Sequence, residues 1–368
     1  MKVAIHVDGP TIRGNERQVI RIAAGLRARG HDVVVSCRAG GPVEAELRSR
    51  GIRTTGVRPG GDADLWNALR FVAWLRRERP DVALMTSWKR AFICAWCARA
   101  AGLPRVVFRL GSLQSIRPGP RGWLERDALR RYDAVIAISR GVAERIVQTA
   151  PEVDAGRVRT VLNGIEVAPA PPAPIRAQLG IPADAILCAA VGGMERSKGF
   201  YFLVEALASV DESVHAVFVG GGTDEQRREL LEQARALGVA GRVHLLGRRD
   251  DVPAVLAACD LFALTSRWEG MGVALLEAMA VGCPAVAADV GGTWDAVAAR
   301  DGRPPAGWIV PAREAAGIAA GVREVVEALR NDPAEVAARV AEARWRIAHW
   351  FAVDRMVDEY EAVLAGKP

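Results

Sequence analysis

Thirteen short apolar runs, most of them rich in β-branched residues, punctuate the chain, and helical periodicity fills the stretches between them. In the first half they lie at 2–8, 32–37, 53–57, 81–86, 104–109, 133–138 and 158–162. In the second they lie at 185–191, 214–219, 242–246, 260–265, 284–289 and 307–310. The stretch 15–29 is typical of the segments between: Val19, Ile22, Ala23 and Leu26 make one apolar face while Arg17, Arg21 and Arg27 stay outside. Strands apolar throughout, alternating with helices, predict parallel sheets covered on both faces. So many β-α units exceed one sheet. The run Ala168-Pro-Ala-Pro-Pro-Ala-Pro174 suits neither helix nor central strand, and its stiff extended preference marks a linker.

The expected fold class is therefore α/β, with two Rossmann-like doubly wound parallel-sheet domains. The first covers 1–166, a Pro-rich linker 167–174, and the second domain 175–345. The stretch 340–365 reads as helical. Trp345, Ile347, Trp350, Phe351, Met356, Val357, Tyr360 and Val363 give it more apolar surface than a solvated tail needs. Residues 346–368 are expected to dock back on the first domain. Ligands of open parallel sheets sit outside the carboxyl ends of the strands, so the expected site is the cleft between the domains.

With half of its residues hydrophobic and a quarter charged, the chain is neither disordered nor collagen-like. No stretch approaches 18 consecutive apolar residues, and Met1–Asp8 has too short an apolar core for a signal peptide, so a cytoplasmic protein is expected. Cys94 and Cys97 form a C-x-x-C, but their segment reads as a buried helix in which both pack as small hydrophobes. His6, His215 and His244 fall in strand runs and read as core histidines. No His/Asp/Glu cluster has metal-ligand spacing. Charge is uneven: residues 1–165 carry 29 Lys+Arg against 15 Asp+Glu, and residues 166–368 carry 20 against 28.

Two strand-to-helix turns carry the chemistry. Val191-Gly-Gly-Met-Glu-Arg-Ser-Lys-Gly199 follows a strand and opens a helix. Its glycines (Gly192 and Gly193 among them) let backbone approach a ligand, while Arg196, Lys198 and the helix N-terminus favour an anion such as a diphosphate. The turn is neither a P-loop nor a G-x-G-x-x-G fingerprint. Ser266-Arg-Trp-Glu-Gly-Met-Gly-Val-Ala-Leu-Leu-Glu-Ala-Met-Ala-Val-Gly-Cys-Pro284 places Glu269 in a turn and Glu277 in the helix after it. Eight helical residues span up to about 12 Å, too far for an acid–base dyad but suited to two ends of one extended ligand. A carboxylate at Glu277, among Leu275, Leu276, Ala278 and Met279, needs donors, which a ribose diol supplies.

Glu269 and Glu277, with seven residues between them and followed by Gly282-Cys-Pro284, resemble the hallmark of the family-four retaining glycosyltransferases, enzymes of the GT-B fold. Gly14-Asn-Glu-Arg17, Leu26-Arg-Ala-Arg-Gly-His-Asp-Val33, Leu162-Asn-Gly-Ile165, Phe218-Val-Gly-Gly-Gly222, Arg242-Val-His-Leu-Leu-Gly247, Asp260-Leu-Phe262 and Val290-Gly-Gly292 follow in the family's order, so the resemblance is nearly full-length. It implies transfer of a sugar from a nucleoside-diphosphate-sugar to a hydroxyl acceptor, in cell-envelope polysaccharide or glycolipid synthesis. In that reading Lys198 holds the diphosphate with Arg196, Glu269 faces the donor sugar, and Glu277 takes the ribose hydroxyls. The amides of Gly270, Met271 and Gly272 contact sugar or phosphate. Leu246 and Gly247 border the nucleobase, and Gly14 approaches the diphosphate.

No cofactor or metal is implied. The chain departs from the family pattern at Gly193, where an Arg is usual, and at Leu110, where a His is frequent. Arg109, beside Leu110, is a candidate acceptor contact. Arg117–Tyr132 mixes cations with Trp123, Leu124 and Leu129, a pattern suited to anionic lipid at the inner face of the membrane. The basic first domain thus points to an anionic or lipid-linked acceptor, and no nucleic-acid module accompanies it. Two other functions fit the motifs: a sugar-nucleotide epimerase on the same architecture, and a non-catalytic nucleotide-sugar binder, which Gly193 and Leu110 favour.

Overall fold

A computed structural model of the chain describes residues 1–61, 64–111, 119–166 and 170–367. Each of the thirteen apolar runs overlaps one strand. Seven are β1 (Lys2–His6), β2 (Asp32–Ser36), β3 (Arg53–Thr55), β4 (Val82–Met85), β5 (Val106–Leu110), β6 (Ala134–Ala137) and β7 (Val158–Thr160). They form one sheet in the order β3-β2-β1-β4-β5-β6-β7, every described pairing parallel. The other six are β8 (Ile186–Val191), β9 (Val214–Val219), β10 (Val243–Gly247), β11 (Leu261–Leu264), β12 (Ala285–Ala288) and β13 (Trp308–Val310). Their order is β10-β9-β8-β11-β12-β13, again parallel. Both sheets reverse direction beside their first strand, between β1 and β4 and between β8 and β11. Such reversals open a crevice at the carboxyl edge.

The chain divides into one unit of Met1–Gly164 with Ala352–Pro368 and a second of Ile165–Phe351. Glycine is required at the first crossing: a Cβ on Gly164 would lie 2.7 Å from the Val353 Cα, so two backbones touch there. The Pro-rich run falls after the crossing. Residues 167–169 lie outside the described residues, and the Ala173 amide donates to the Ala254 carbonyl of the second unit at 2.9 Å.

The helical stretch 340–365 is two helices, Pro333–His349 and Val353–Leu364, so the boundary at 345 falls inside the first of them. The break has a packing cause. Ala343 and Ile347 are buried with the second unit, whereas Met356, Val357, Tyr360, Val363 and Leu364 join the core of the first, beside Val19, Ile22 and Leu26. A continuous helix cannot serve both. Neither glycine nor proline marks the break, and tertiary burial overrides helical propensity.

At the carboxyl end of β1, His6 is buried. The Ser36 hydroxyl donates to the Val57 carbonyl at 2.6 Å, so it accepts from His6 Nδ1 at 3.0 Å and fixes that proton on Nδ1. Burial, opposed by Asp8 and reinforced by Arg90 and Arg58, pulls the imidazole down to about 4. The unfolded chain binds this proton below its ordinary value of 6.5 while the folded chain resists. Stability contributed by neutral His6 is therefore present above about pH 6.5 and lost towards pH 4, by up to about 3 kcal/mol. Urea denaturation at pH 7 and pH 4.5 should show a smaller loss for His6→Leu than for the parent chain; equal losses would reject the assignment.

Candidate active site

β8 and β11 are neighbours, so the loops leaving their carboxyl ends lie together at the reversal of the second sheet. After β8, Arg196–Lys198 make one 3-10 turn and Gly199 takes φ +65 before the helix Phe200–Leu207. A Cβ on Gly199 would sit 2.0 Å from the Thr265 carbonyl oxygen, so this glycine meets both a conformational and a steric demand. Around that contact the Thr265 hydroxyl donates to the Lys198 carbonyl at 2.8 Å, and the Arg267 amide to the Ser197 carbonyl at 2.8 Å. The two loops form one rigid seam.

The seam brings two expected residues into contact. Lys198 Nζ donates to Glu269 Oε1 at 2.5 Å, and the Ser266 hydroxyl donates to the same oxygen at 2.9 Å. The Glu269 side chain is mostly buried, and that of Lys198 keeps 30% of its surface exposed. Beyond Glu269, Gly270 accepts from the Gly292 amide at 3.0 Å, and Met271 is buried. Gly272, at φ +71, opens the helix Val273–Val281, on which Glu277 is half-buried. Gly247, at the end of β10, accepts from the Gly220 amide at 2.8 Å, placing Leu246 and Gly247 on the same edge of the sheet. Gly192 and Gly193 lie in the loop after β8, where a Cβ on Gly193 would fall 2.0 Å from Glu195 Oε2. An arginine at 193, as in the family pattern, has no room while Glu195 stays there.

Two other expected residues, Arg196 and Arg109, have different surroundings. Arg196 is exposed and, with Glu195, Glu225, Glu229 and Glu232, lines a cavity of about 880 Å³ beside the helix Asp224–Ala236. Four carboxylates there disfavour an anionic guest, so the cavity is not the proposed diphosphate site. Gly14 opens the helix Gly14–Ala28 in the first unit. The acceptor contact expected at Arg109 is corrected: this residue is 1% exposed, and its three guanidinium nitrogens are bonded to Tyr360, Asn15 and Asn163. Its signal in the sequence was a charge inside the apolar strand 106–110, which is a core position. Cys94 and Cys97 are buried thiols of the helix Ala91–Ala100 and form no disulfide, and burial pushes the Cys97 thiol up to about 12.

A family model described as "Glycosyltransferase Family 4" matches residues 12–168, and one described as "Glycosyl transferases group 1" matches residues 185–328. D-inositol 3-phosphate glycosyltransferase 1 of Catenulispora acidiphila is 30% identical over 78% of this chain and 73% of its own length. The chain belongs to glycosyltransferase family 4. It is a glycosyltransferase of the GT-B fold. The lipopolysaccharide core biosynthesis glycosyltransferase LpsE of Rhizobium meliloti is 28% identical over 96% of both chains. Alpha-maltose-1-phosphate synthase of Mycolicibacterium smegmatis is 33% identical, the match spanning 63% of this chain and 65% of the relative. Anabaena Alr3699/HepE, solved in complex with UDP, superposes over the whole of both chains with a TM-score of 0.85 at 23% identity.

The seam makes a sharp stability prediction. Gly199→Ala should destabilise the second unit by more than about 2 kcal/mol, because the added carbon meets a backbone oxygen in a left-handed turn. Denaturant titration reads this, and an unchanged midpoint would refute the backbone contact.

Proposed function

We propose that this glycosyltransferase is a retaining enzyme that moves a sugar from a nucleoside-diphosphate-sugar to a hydroxyl acceptor in cell-envelope polysaccharide or glycolipid assembly, without a divalent metal. The observation that carries the reading is the Lys198–Glu269 pair at the β8/β11 reversal, with Glu277 on the helix that follows. In this reaction Lys198 and the turn around it neutralise the departing diphosphate, which is where negative charge develops. Glu269 faces the donor sugar, with the Gly270, Met271 and Gly272 amides beside it. Glu277 accepts from the ribose hydroxyls, and Leu246 and Gly247 border the base. UDP heads the candidate nucleotides because Anabaena HepE was solved with UDP and with UDP-glucose. Calorimetric titration with UDP, GDP and ADP should find one that binds, and Glu277→Ala should weaken it by about ten-fold or more. Binding unaffected by Glu277→Ala would remove Glu277 from the site.

The acceptor side of the reading is a lipid-linked or anionic acceptor, met at an anionic membrane surface. In support, the helix Pro120–Arg130 buries Leu129 and leaves Trp123 60% exposed. The helix Leu65–Glu78 leaves Leu65, Trp66 and Leu69 exposed at its start. These two helices follow β3 and β5 and so begin at the carboxyl edge of the first sheet, where indoles and arginines together suit a lipid interface. Residues 117 and 118 of the basic segment lie outside the described residues. Among the described residues, no helix is long and apolar enough to cross a membrane. Phosphatidylglycerol vesicles at low salt should sediment the protein, and Trp66→Ala with Trp123→Ala should leave most of it in the supernatant. A parent chain that stays in solution would sink the membrane reading.

A further inference from the structure

Arg109 joins three segments of the first unit that are far apart in sequence. From the carboxyl end of β5, its Nε donates to the Tyr360 hydroxyl at 2.8 Å. One terminal nitrogen donates to Asn15 Oδ1 at 2.5 Å, the other to Asn163 Oδ1 at 2.9 Å. Asn15 stands in the first turn of the helix Gly14–Ala28, Asn163 just before the chain crosses to the second unit, and Tyr360 on the helix of the segment that returns. A guanidinium is planar and its donors form a rigid fork, so three acceptors in three directions are held in fixed relation.

The surroundings are fitted to this fork. A Cβ on Gly111 would lie 2.4 Å from Asn15 Oδ1 and 2.8 Å from the Arg109 nitrogen, so the glycine leaves the space they occupy. Asn15 Nδ2 donates onward to Glu16 Oε1 at 3.3 Å, and Glu16 Oε2 accepts from the Arg13 amide at 3.2 Å. The chain of bonds thus ends on the backbone that flanks Gly14. At the crossing, the Gly164 carbonyl accepts from Gln18 Nε2 at 2.9 Å and from Arg21 at 3.2 Å, and the Gly164 amide donates to Met356 Sδ at 3.0 Å. Both passing segments are therefore anchored to the helix that Gly14 opens.

We propose that Arg109 is a positioning residue for donor binding, holding the 13–16 turn in the shape that presents the Gly14 amide and making that shape depend on the helix Val353–Leu364 being docked. The proposal rests on the reading of Gly14 as a contact for the donor diphosphate. A burial role alone would make Arg109 matter for stability and leave the folded turn and its ligand affinity untouched.

The test uses the full chain with Arg109→Met, Arg109→Lys and Tyr360→Phe, the last removing one hydroxyl only. Amide hydrogen exchange at 13–18 and 353–364 is measured beside calorimetric affinity for UDP, GDP and ADP. Tyr360→Phe should speed exchange in the 13–18 turn, although the change lies on another helix. It should also weaken nucleotide binding by about five-fold, the effect of roughly one hydrogen bond. Arg109→Met should weaken binding by about ten-fold or more, with Arg109→Lys recovering part of the loss. Unchanged exchange at 13–18 in a folded Tyr360→Phe chain would overturn the coupling. Faster exchange with undiminished affinity would overturn the link to donor binding. If the parent chain binds none of the three nucleotides, the donor reading is what has failed, and the exchange data still decide whether Arg109 couples the two segments.

Discussion

A strand buried on both faces offers chemistry only at its ends, and this constraint shapes the whole molecule. Both sheets are parallel, and Val3, Ala4, Leu187, Ala189 and Phe262 in their central strands are fully enclosed. Polar function is thereby pushed to the carboxyl edges, where short loops turn into helices. The sequence from 191 to 199 and that from 265 to 272 hold glycines because two such loops share one edge. Their contact at Gly199 and Thr265 is backbone on backbone, so Lys198 and Glu269 owe their meeting to the register of β8 with β11.

The uneven charge takes a different meaning once the residues are placed. With Ala352–Pro368 included, the first unit holds 31 Lys+Arg against 19 Asp+Glu. Several of those cations are not free surface charge. Asp8 bridges Arg58 at 2.7 Å and Arg90 at 2.6 Å at the end of β1, and Arg29 reaches Asp358 at 2.6 Å. Arg109 is wholly internal. Arginine here also serves as a buried multi-way connector. The second unit repeats the device: Arg346, fully buried, donates to the carbonyls of Ala296, Ala298 and Pro304 and to Glu342. Its charge-assisted bonds fasten the helix Pro333–His349 to an irregular stretch that the second sheet does not hold.

Periodicity made the strands legible, because a buried parallel strand needs nothing except apolar side chains over a short span. Motif spacing made the Glu269 turn and the glycine-rich loop legible, because both are local in sequence. What the sequence could not display was long-range partnership. Arg109 read as a candidate acceptor contact, since its true partners lie 94, 54 and 251 positions away. The break between His349 and Val353 was equally hidden, for no helix breaker occurs there and only the two cores decide it. Arg196 shared a turn with Lys198, and a one-turn 3-10 helix sent the two side chains to different surroundings.

The Lys198–Glu269 pair also limits how the proposed reaction can begin. A half-buried ammonium without a partner would be costly, and Glu269 supplies that partner at 2.5 Å. A diphosphate carries more negative charge than one carboxylate and can draw Lys198 away. Glu269 then keeps the Ser266 hydroxyl, which already donates to the same oxygen, and its freed lone pairs can accept from sugar hydroxyls. A donor that brings both a diphosphate and a sugar replaces both halves of the broken pair. A bare nucleoside diphosphate replaces only one, leaving Glu269 with neither its cation nor sugar hydroxyls. On the proposed reading, the complete nucleotide-sugar gives each half of the opened pair a hydrogen-bonding partner, the diphosphate for Lys198 and the sugar hydroxyls for Glu269.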